Sequence, residues 1–261
     1  MNNKTVILGY HQIYDSVVPT TKYAVSRELF KKQLLFLKDN NFNSLSLKDI
    51  FTQLKSKEGF KGKNVCLTFD DGLSSHFDLA YPLLMESGLK GSFFIIAGFV
   101  GKEGYAGWAQ LRQMLDSGME IGSHGLSHNL LNIMPDEQLK KELYLSRRIL
   151  EDGLGKEISV LSVPRGQYNR RVKMAAVALG YKVICSSASS YTDRYSSPFA
   201  LGRFFMQSGD SFDDFKNIIK GSLPTNIKIK SRIVFYGLLR YLLGMKLYEK
   251  LRKAVLRGEY Y

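Results

Sequence analysis

Two short stretches concentrate the side chains able to do acid–base or metal chemistry. Thr68-Phe69-Asp70-Asp71-Gly72 follows the apolar run Val65-Cys66-Leu67, so two adjacent carboxylates stand where a buried strand ends. Side chains alternate along a strand, so the pair point in different directions: one can bind a cation while its neighbour holds a proton of water. His124-Gly125-Leu126-Ser127-His128 follows the strand-like Met119-Glu120-Ile121-Gly122-Ser123. Two histidines four apart face one point if their segment makes a helical turn. Two imidazoles plus a carboxylate suit a zinc-like ion and leave positions open for water and substrate. Taken singly, each stretch has a plainer reading, because Asp-Gly is common in turns and a histidine pair can simply decorate a surface.

The elements that must position these stretches read as repeated strand–helix units. Apolar, strand-like runs fall at 6–10, 65–69, 92–97, 119–123, 160–163 and 182–185. Helical patterns follow them: one starting at Ser26 with Leu29, Phe30, Leu34 and Leu37 on one face, then 78–87, 108–117, 136–152 and 171–179. Such alternation predicts an α/β fold with a mainly parallel sheet under covering helices. Chemistry should then collect at the strand carboxyl ends. About seven units favour a barrel over two small domains, with an open doubly wound sheet as the alternative.

Jointly, the motifs resemble the polysaccharide deacetylases, metal-dependent enzymes that remove N-acetyl groups from amino sugars. The flanking sequence agrees at Tyr81-Pro82-Leu83-Leu84, at Gly91-Ser92-Phe93-Phe94 and from Trp108 to His128. The resemblance spans residues 5–220 and implies a distorted (β/α)7-type barrel. It implies Asp70 as catalytic base and Asp71, His124 and His128 as ligands of a divalent ion. Zinc is the default for that set; cobalt, manganese, nickel and iron fit it too. Val163-Pro164-Arg165-Gly166-Gln167 resembles the family's active-site loop, with Arg165 in the place of the backbone oxyanion donor. The Arg165 side chain could meet an acidic substrate group or be an ordinary loop arginine. Many members carry an arginine two residues before that proline; here the residue is Ser162. Many also carry a late histidine as general acid, and none follows His128. Tyr10-His11-Gln12-Ile13, with the stretch 26–47, instead resembles a subgroup with an N-terminal Tyr-His segment, which implies His11 as the acid. Arg203, in Leu201-Gly202-Arg203-Phe204, resembles a late arginine of that subgroup that orients the base. His76 is expected to be solvated, Trp108 to pack at a helix start, and Tyr168 and Asn169 to shape a loop and cap the next helix.

The chain of 261 residues carries a formal charge of +13, with 44% hydrophobic and 23% charged residues. That composition excludes a disordered, collagen-like or disulfide-stapled chain. Residues 216–261 hold eleven lysines and arginines against two acids, so the excess charge belongs mainly to the end of the chain. A division follows: 1–221 as the catalytic domain and 222–261 as a basic, amphipathic helical appendage. Residues 227–257 could pack on the barrel or lie on an anionic membrane surface. No motif for nucleic acid accompanies the charge. Cys66 and Cys185 sit in apolar runs and read as reduced core thiols. No uninterrupted apolar stretch reaches the roughly 18 residues of a membrane span. The expected place is the cytoplasm, peripheral at the inner face of the membrane if the tail binds there. The expected partner is a carbohydrate, lipid-linked if the tail has that role. Removal of a formyl or O-acetyl group, and a catalytically impaired glycan binder, remain alternative functions.

Overall fold

The computed structural model describes residues 4–17, 21–56 and 58–222, so the basic tail at 227–257 and most of the expected appendage lie outside the described residues. In chain order, β1 (Lys4–Tyr10), β2 (Gln12–Tyr14) and β3 (Ala24–Ser26) lead into α1 (Arg27–Asp39), β4 (Asn43–Ser44), α2 (Leu47–Lys55) and β5 (Asn64–Phe69). A π-helical turn, His76–Ala80, then runs into α3 (Tyr81–Ser87). Strands and helices alternate from there: β6 (Gly91–Ile95), α4 (Trp108–Asp116), β7 (Glu120–Ser123), α5 (Asp136–Leu154), β8 (Val160–Ser162), α6 (Arg170–Ala178) and β9 (Val183–Cys185). The short β10 (Thr192–Asp193) and β11 (Phe204–Phe205) precede α7 (Phe212–Lys220). Several helix starts are chemically marked. Ser26 Oγ accepts from Leu29 N–H and Asn169 Oδ1 from Val172 N–H, while Ser46 and Ser211 head reciprocal capping boxes. Trp108 opens α4 and packs against Gly153 of α5, where a Cβ would come within 2.2 Å of the ring.

The main sheet runs β10-β1-β5-β6-β7-β8-β9, with all neighbours from β1 to β9 parallel and β10 antiparallel. It curls on itself rather than lying open. The segment around Leu201–Phe205 bridges the two ends: Leu201 pairs with Cys185 of β9, and Phe204–Phe205 pairs parallel to Leu8–Gly9 of β1. Six parallel strands and this closing segment make the distorted (β/α)7 barrel that the family resemblance implies.

Alternation along the strands decides what lies inside. Ile7, Cys66, Phe94, Val160, Val183, Cys185 and Leu201 form one buried cluster, separate from the larger cluster between sheet and outer helices. The two cysteines are free and buried in it. Stepping by two from these residues toward the strand carboxyl ends reaches Thr68 and Asp70 from Cys66, Ser162 from Val160, and Arg203 from Leu201. On β7 the same step runs Glu120, Gly122, His124. A Cβ on Gly122 would stand 2.5 Å from Val160 and 2.8 Å from the Phe94 ring, so only glycine leaves room there. Below, Leu47, Ile50 and Phe60 complete the inner cluster and α2 stops that end of the barrel. The buried Glu120 carboxylate accepts the N–H groups of Leu47 (2.8 Å) and Lys48 (3.1 Å) and the Ser92 hydroxyl (2.6 Å), which satisfies the start of α2.

Candidate active site

The mouth of the barrel collects the two sequence stretches that promised chemistry. Asp70 continues the inward side of β5 and is 2% exposed. Asp71 turns away because its backbone is left-handed, with φ +83, followed by Gly72 at φ +75. Alternation alone does not separate the two carboxylates; the left-handed residue does. Such a conformation costs an ordinary L-residue about 1–2 kcal/mol. Four described non-glycine residues have positive φ, and three of them, Asp71, His128 and Arg165, belong to this site. Clustered backbone strain of that kind marks places where geometry matters more than local stability.

Asp70 faces Arg203, which is 1% exposed and sits between the rings of Phe94 and Phe205. The pairing is bidentate: Nη1 donates to Oδ1 at 2.7 Å and Nη2 to Oδ2 at 2.8 Å. Ser162 joins the network, its hydroxyl accepting from Arg203 Nη2 at 2.7 Å and donating to Asp70 Oδ2 at 3.2 Å. Thr68 Oγ1 accepts from Arg203 Nη1 and donates to the Leu8 carbonyl. Burial is the largest single influence and raises the Asp70 pKa, but the Arg203 charge and hydrogen bonds, together with His124 and His11, outweigh it and carry the carboxyl down to about 2. Serine at the loop position where a motif arginine was expected therefore does not leave the aspartate bare. A guanidinium reaches it from the closing segment instead.

Asp71, His124 and His128 converge, each offering an atom within 4.8 Å of the others. Nε2 of His124 and Nε2 of His128 each lie 3.4 Å from Asp71 Oδ1. These are long for hydrogen bonds. They match the separation of about 3.4 Å between neighbouring ligand atoms at the corners of a tetrahedron with metal–ligand bonds near 2.1 Å. The donor set fits a divalent ion on a second count. His124 Nδ1 donates to the Ser162 carbonyl at 2.8 Å, which turns the lone pair of Nε2 toward Asp71. Burial lowers the His124 pKa, yet the carboxylates of Asp70 and Asp71 raise it on balance. Burial and the neighbouring His124 pull His128 down to about 4. A cation bound here would compete with the proton on His124, so its affinity falls as pH falls.

The two histidines do not meet through a helical turn. His124 directly follows β7, and the segment after it loops through left-handed Gly125 (φ +79) to left-handed His128 (φ +61). Glu142 of α5 holds that loop from outside. Its Oε1 accepts from Leu126 N–H (2.9 Å), Ser127 N–H (2.7 Å) and the Ser127 hydroxyl (2.9 Å). Ala97 and Gly98 add N–H bonds to the carbonyls of Gly125 and Leu126. Sequence reasoning missed Glu142; the available signal was a carboxylate on the buried stripe of α5, between Leu139 and Leu143.

His11 follows β1 at the same mouth. Its ring stacks on Tyr23 (4.8 Å between centroids) and tilts against Phe205 (5.2 Å), and its Nδ1 is buried with no hydrogen-bond partner. Burial lowers its pKa against the opposing charges of Asp71 and Asp70. Arg165 lies in the turn Pro164–Gly166 beyond β8, near enough to His128 for its charge to lower that imidazole's pKa. His76 departs from expectation: it is 1% exposed rather than solvated. Asn169 caps α6 and the Tyr168 hydroxyl bonds the Phe199 carbonyl, as a loop-shaping pair should.

The chain matches the family model described as polysaccharide deacetylase over residues 57–184. The part of the chain that carries Asp70, Asp71, His124 and His128 is of the polysaccharide deacetylase family. Bacillus subtilis YxkH is 27% identical over 212 residues, covering 81% of this chain and 75% of that protein. A poly-β-1,6-N-acetyl-D-glucosamine N-deacetylase of Staphylococcus aureus is 25% identical over 250 residues, covering 84% of this chain and 82% of that one. Among solved structures, the Streptococcus pyogenes deacetylase PplD in complex with acetate superposes with a TM-score of 0.78 at 24% identity, covering 84% and 99% of the two chains. IcaB from Ammonifex degensii gives 0.73 at 23%, covering 84% and 96%. These two structures share the family's barrel.

Two outcomes follow from the geometry. Arg203→Met would leave a buried carboxylate unpaired and cost about 3–5 kcal/mol of stability near neutral pH. The depressed Asp70 pKa stabilises the fold above the ordinary carboxylate range, and that contribution is lost as pH falls toward 2. Chemical denaturation should therefore show the gap between wild type and variant narrowing in acid, and the Asp70→Asn, Arg203→Met pair should recover part of the loss. Glu142→Ala releases the His124–His128 loop; if Asp71, His124 and His128 hold a divalent ion, zinc used as the probe should bind about 10- to 100-fold more weakly in competition with a chromogenic chelator. Glu142→Gln, which keeps an acceptor, should lose less.

Proposed function

We propose that the protein is a metal-dependent hydrolase that removes an N-acetyl group from an amino sugar of a surface polysaccharide or glycolipid. The observation that carries the reading is one mouth holding a convergent Asp71–His124–His128 set directly beside an ionised, buried Asp70. The family match and the similarity to the Staphylococcus aureus N-acetylglucosamine polymer deacetylase support the substrate class. The intact constellation favours a working enzyme over an impaired glycan binder.

A divalent ion held by Asp71, His124 and His128, with zinc the default, would polarise the amide carbonyl and lower the pKa of water. Asp70 accepts the proton of the attacking water, and Arg203, Ser162 and Thr68 fix the direction in which its lone pairs point. The Arg203 contact keeps Asp70 ionised across neutral pH at the expense of basicity, so position rather than proton affinity is what Asp70 contributes. The backbone N–H of Arg165 is offered to the developing oxyanion. His11 delivers a proton to the departing amine from the end of β1, beside the strand that leads into Asp70. The basic, apolar composition of 227–257 supports a position at an anionic membrane surface, suited to a lipid-borne substrate on the cytoplasmic leaflet.

Release of acetate from oligomers of β-1,6-linked N-acetylglucosamine, assayed beside lipid-linked and nucleotide-linked N-acetyl sugars, tests the reading. Acetate release should vanish after chelation, return with added zinc, and fall by at least about 10³-fold in Asp70→Asn. Formate or O-linked acetate as the released acid would redirect it to another acyl group. Deleting 223–261 should reduce co-sedimentation with anionic liposomes and leave turnover of a soluble oligomer intact; unchanged sedimentation removes the membrane assignment.

A further inference from the structure

We propose that His76 is a positioning residue for His11 that acts through the main chain. The proposal rests on the reading of His11 as the acid. His76 lies 1% exposed in the π-helical turn after the Asp70–Gly72 loop, its ring against Phe69 (5.5 Å) and Phe93 (5.9 Å). Its Nε2 is 2.6 Å from the carbonyl oxygen of His11. A carbonyl only accepts, so Nε2 carries the hydrogen and the neutral ring leaves Nδ1 bare; Nδ1 is buried with no partner. Burial draws the His76 pKa down to about 4, in keeping with that neutral form.

An imidazole in such a pocket is costly, since one nitrogen stays unsatisfied among aromatic rings. A phenylalanine would fill the space without that penalty. What the imidazole alone supplies is the hydrogen bond to His11. Its partner bond lies six residues earlier: Asp70 N–H donates to the Tyr10 carbonyl at 2.9 Å. One continuous segment, 70–76, thus grips two consecutive carbonyls of the strand end that bears His11, and the same segment carries Asp70 and Asp71. Tyr23 and Phe205 orient the His11 ring, while His76 sets where its backbone stands relative to the carboxylates. His76 opens the π-helical turn, a local geometry frequent at functional sites.

The test compares His76→Phe, which keeps the ring, with His76→Gln, which keeps an N–H donor. For acetate release, His76→Phe should lower kcat about 10- to 100-fold with KM changed less than about twofold and thermal stability maintained. His76→Gln should restore kcat to within about threefold of wild type. In a His11→Ala background the Phe substitution should change kcat less than about twofold, because both act on one step. Full activity in His76→Phe, or losses that multiply with those of His11→Ala, would overturn the assignment. Long-range ¹H–¹⁵N spectra of the histidine rings give a readout that needs no substrate. His76→Phe should move the His11 resonances and leave those of His128 in place. Unmoved His11 resonances defeat the link to His76 whatever the activity, whereas an inactive wild type with moved resonances defeats only the proposed function.

Discussion

The interaction on which the rest of the structure depends is the buried pair of Asp70 and Arg203. Two charges inside a barrel are tolerable only if each is fully engaged. Here the guanidinium has Asp70, Ser162 and Thr68 as acceptors and two aromatic faces as walls. The partners come from β5, from β8 and from the segment that closes the sheet between β9 and β1. The pair is therefore at once an electrostatic device in the site and a clasp across the seam of the barrel. Stability and chemistry are coupled through the same four side chains, so a change made for one is felt by the other.

A second constraint is directional. Asp70 and Asp71 are neighbours in sequence yet serve different groups, and the backbone makes the division. Asp70 keeps the inward direction dictated by alternation, and left-handed Asp71 swings its carboxylate to the histidines. Arg165 and His128 are bent in the same way. Each of these residues sits on a short connection whose ends are pinned by regular elements, and Glu142 adds a fixed carboxylate behind the histidine loop. Strain at the mouth is thus held by the regular structure below it.

Much of the fold was legible because its strands and helices are long enough to show a period. The runs near 65–69 and 119–123 and the helix from Ser26 read directly. Closure was not, since Leu201–Phe205 touches β9 and β1 through only a few residues and has no pattern of its own. Arg203 was reachable through resemblance, not through spacing. The two histidines do converge, but not by the expected route: Gly125 permits a left-handed loop where a helical turn was expected. His76 was expected in solvent as a polar residue on the segment after Asp70, whereas its ring turns inward against Phe69 and Phe93. Glu142 looked like one more charge on an amphipathic helix.

The stopper that α2 places under the barrel has a consequence for traffic. Leu47, Ile50 and Phe60 fill the lower interior, and Glu120 ties the start of α2 to the wall. Among the described residues that end is packed with side chains, so the mouth is the side from which Asp70 is approached. A polymer of the proposed kind would lie across that opening rather than thread it, with its neighbouring units over loops instead of strands. Length of substrate would be read by the rim, and the depth of the barrel would measure only the single group inserted into it.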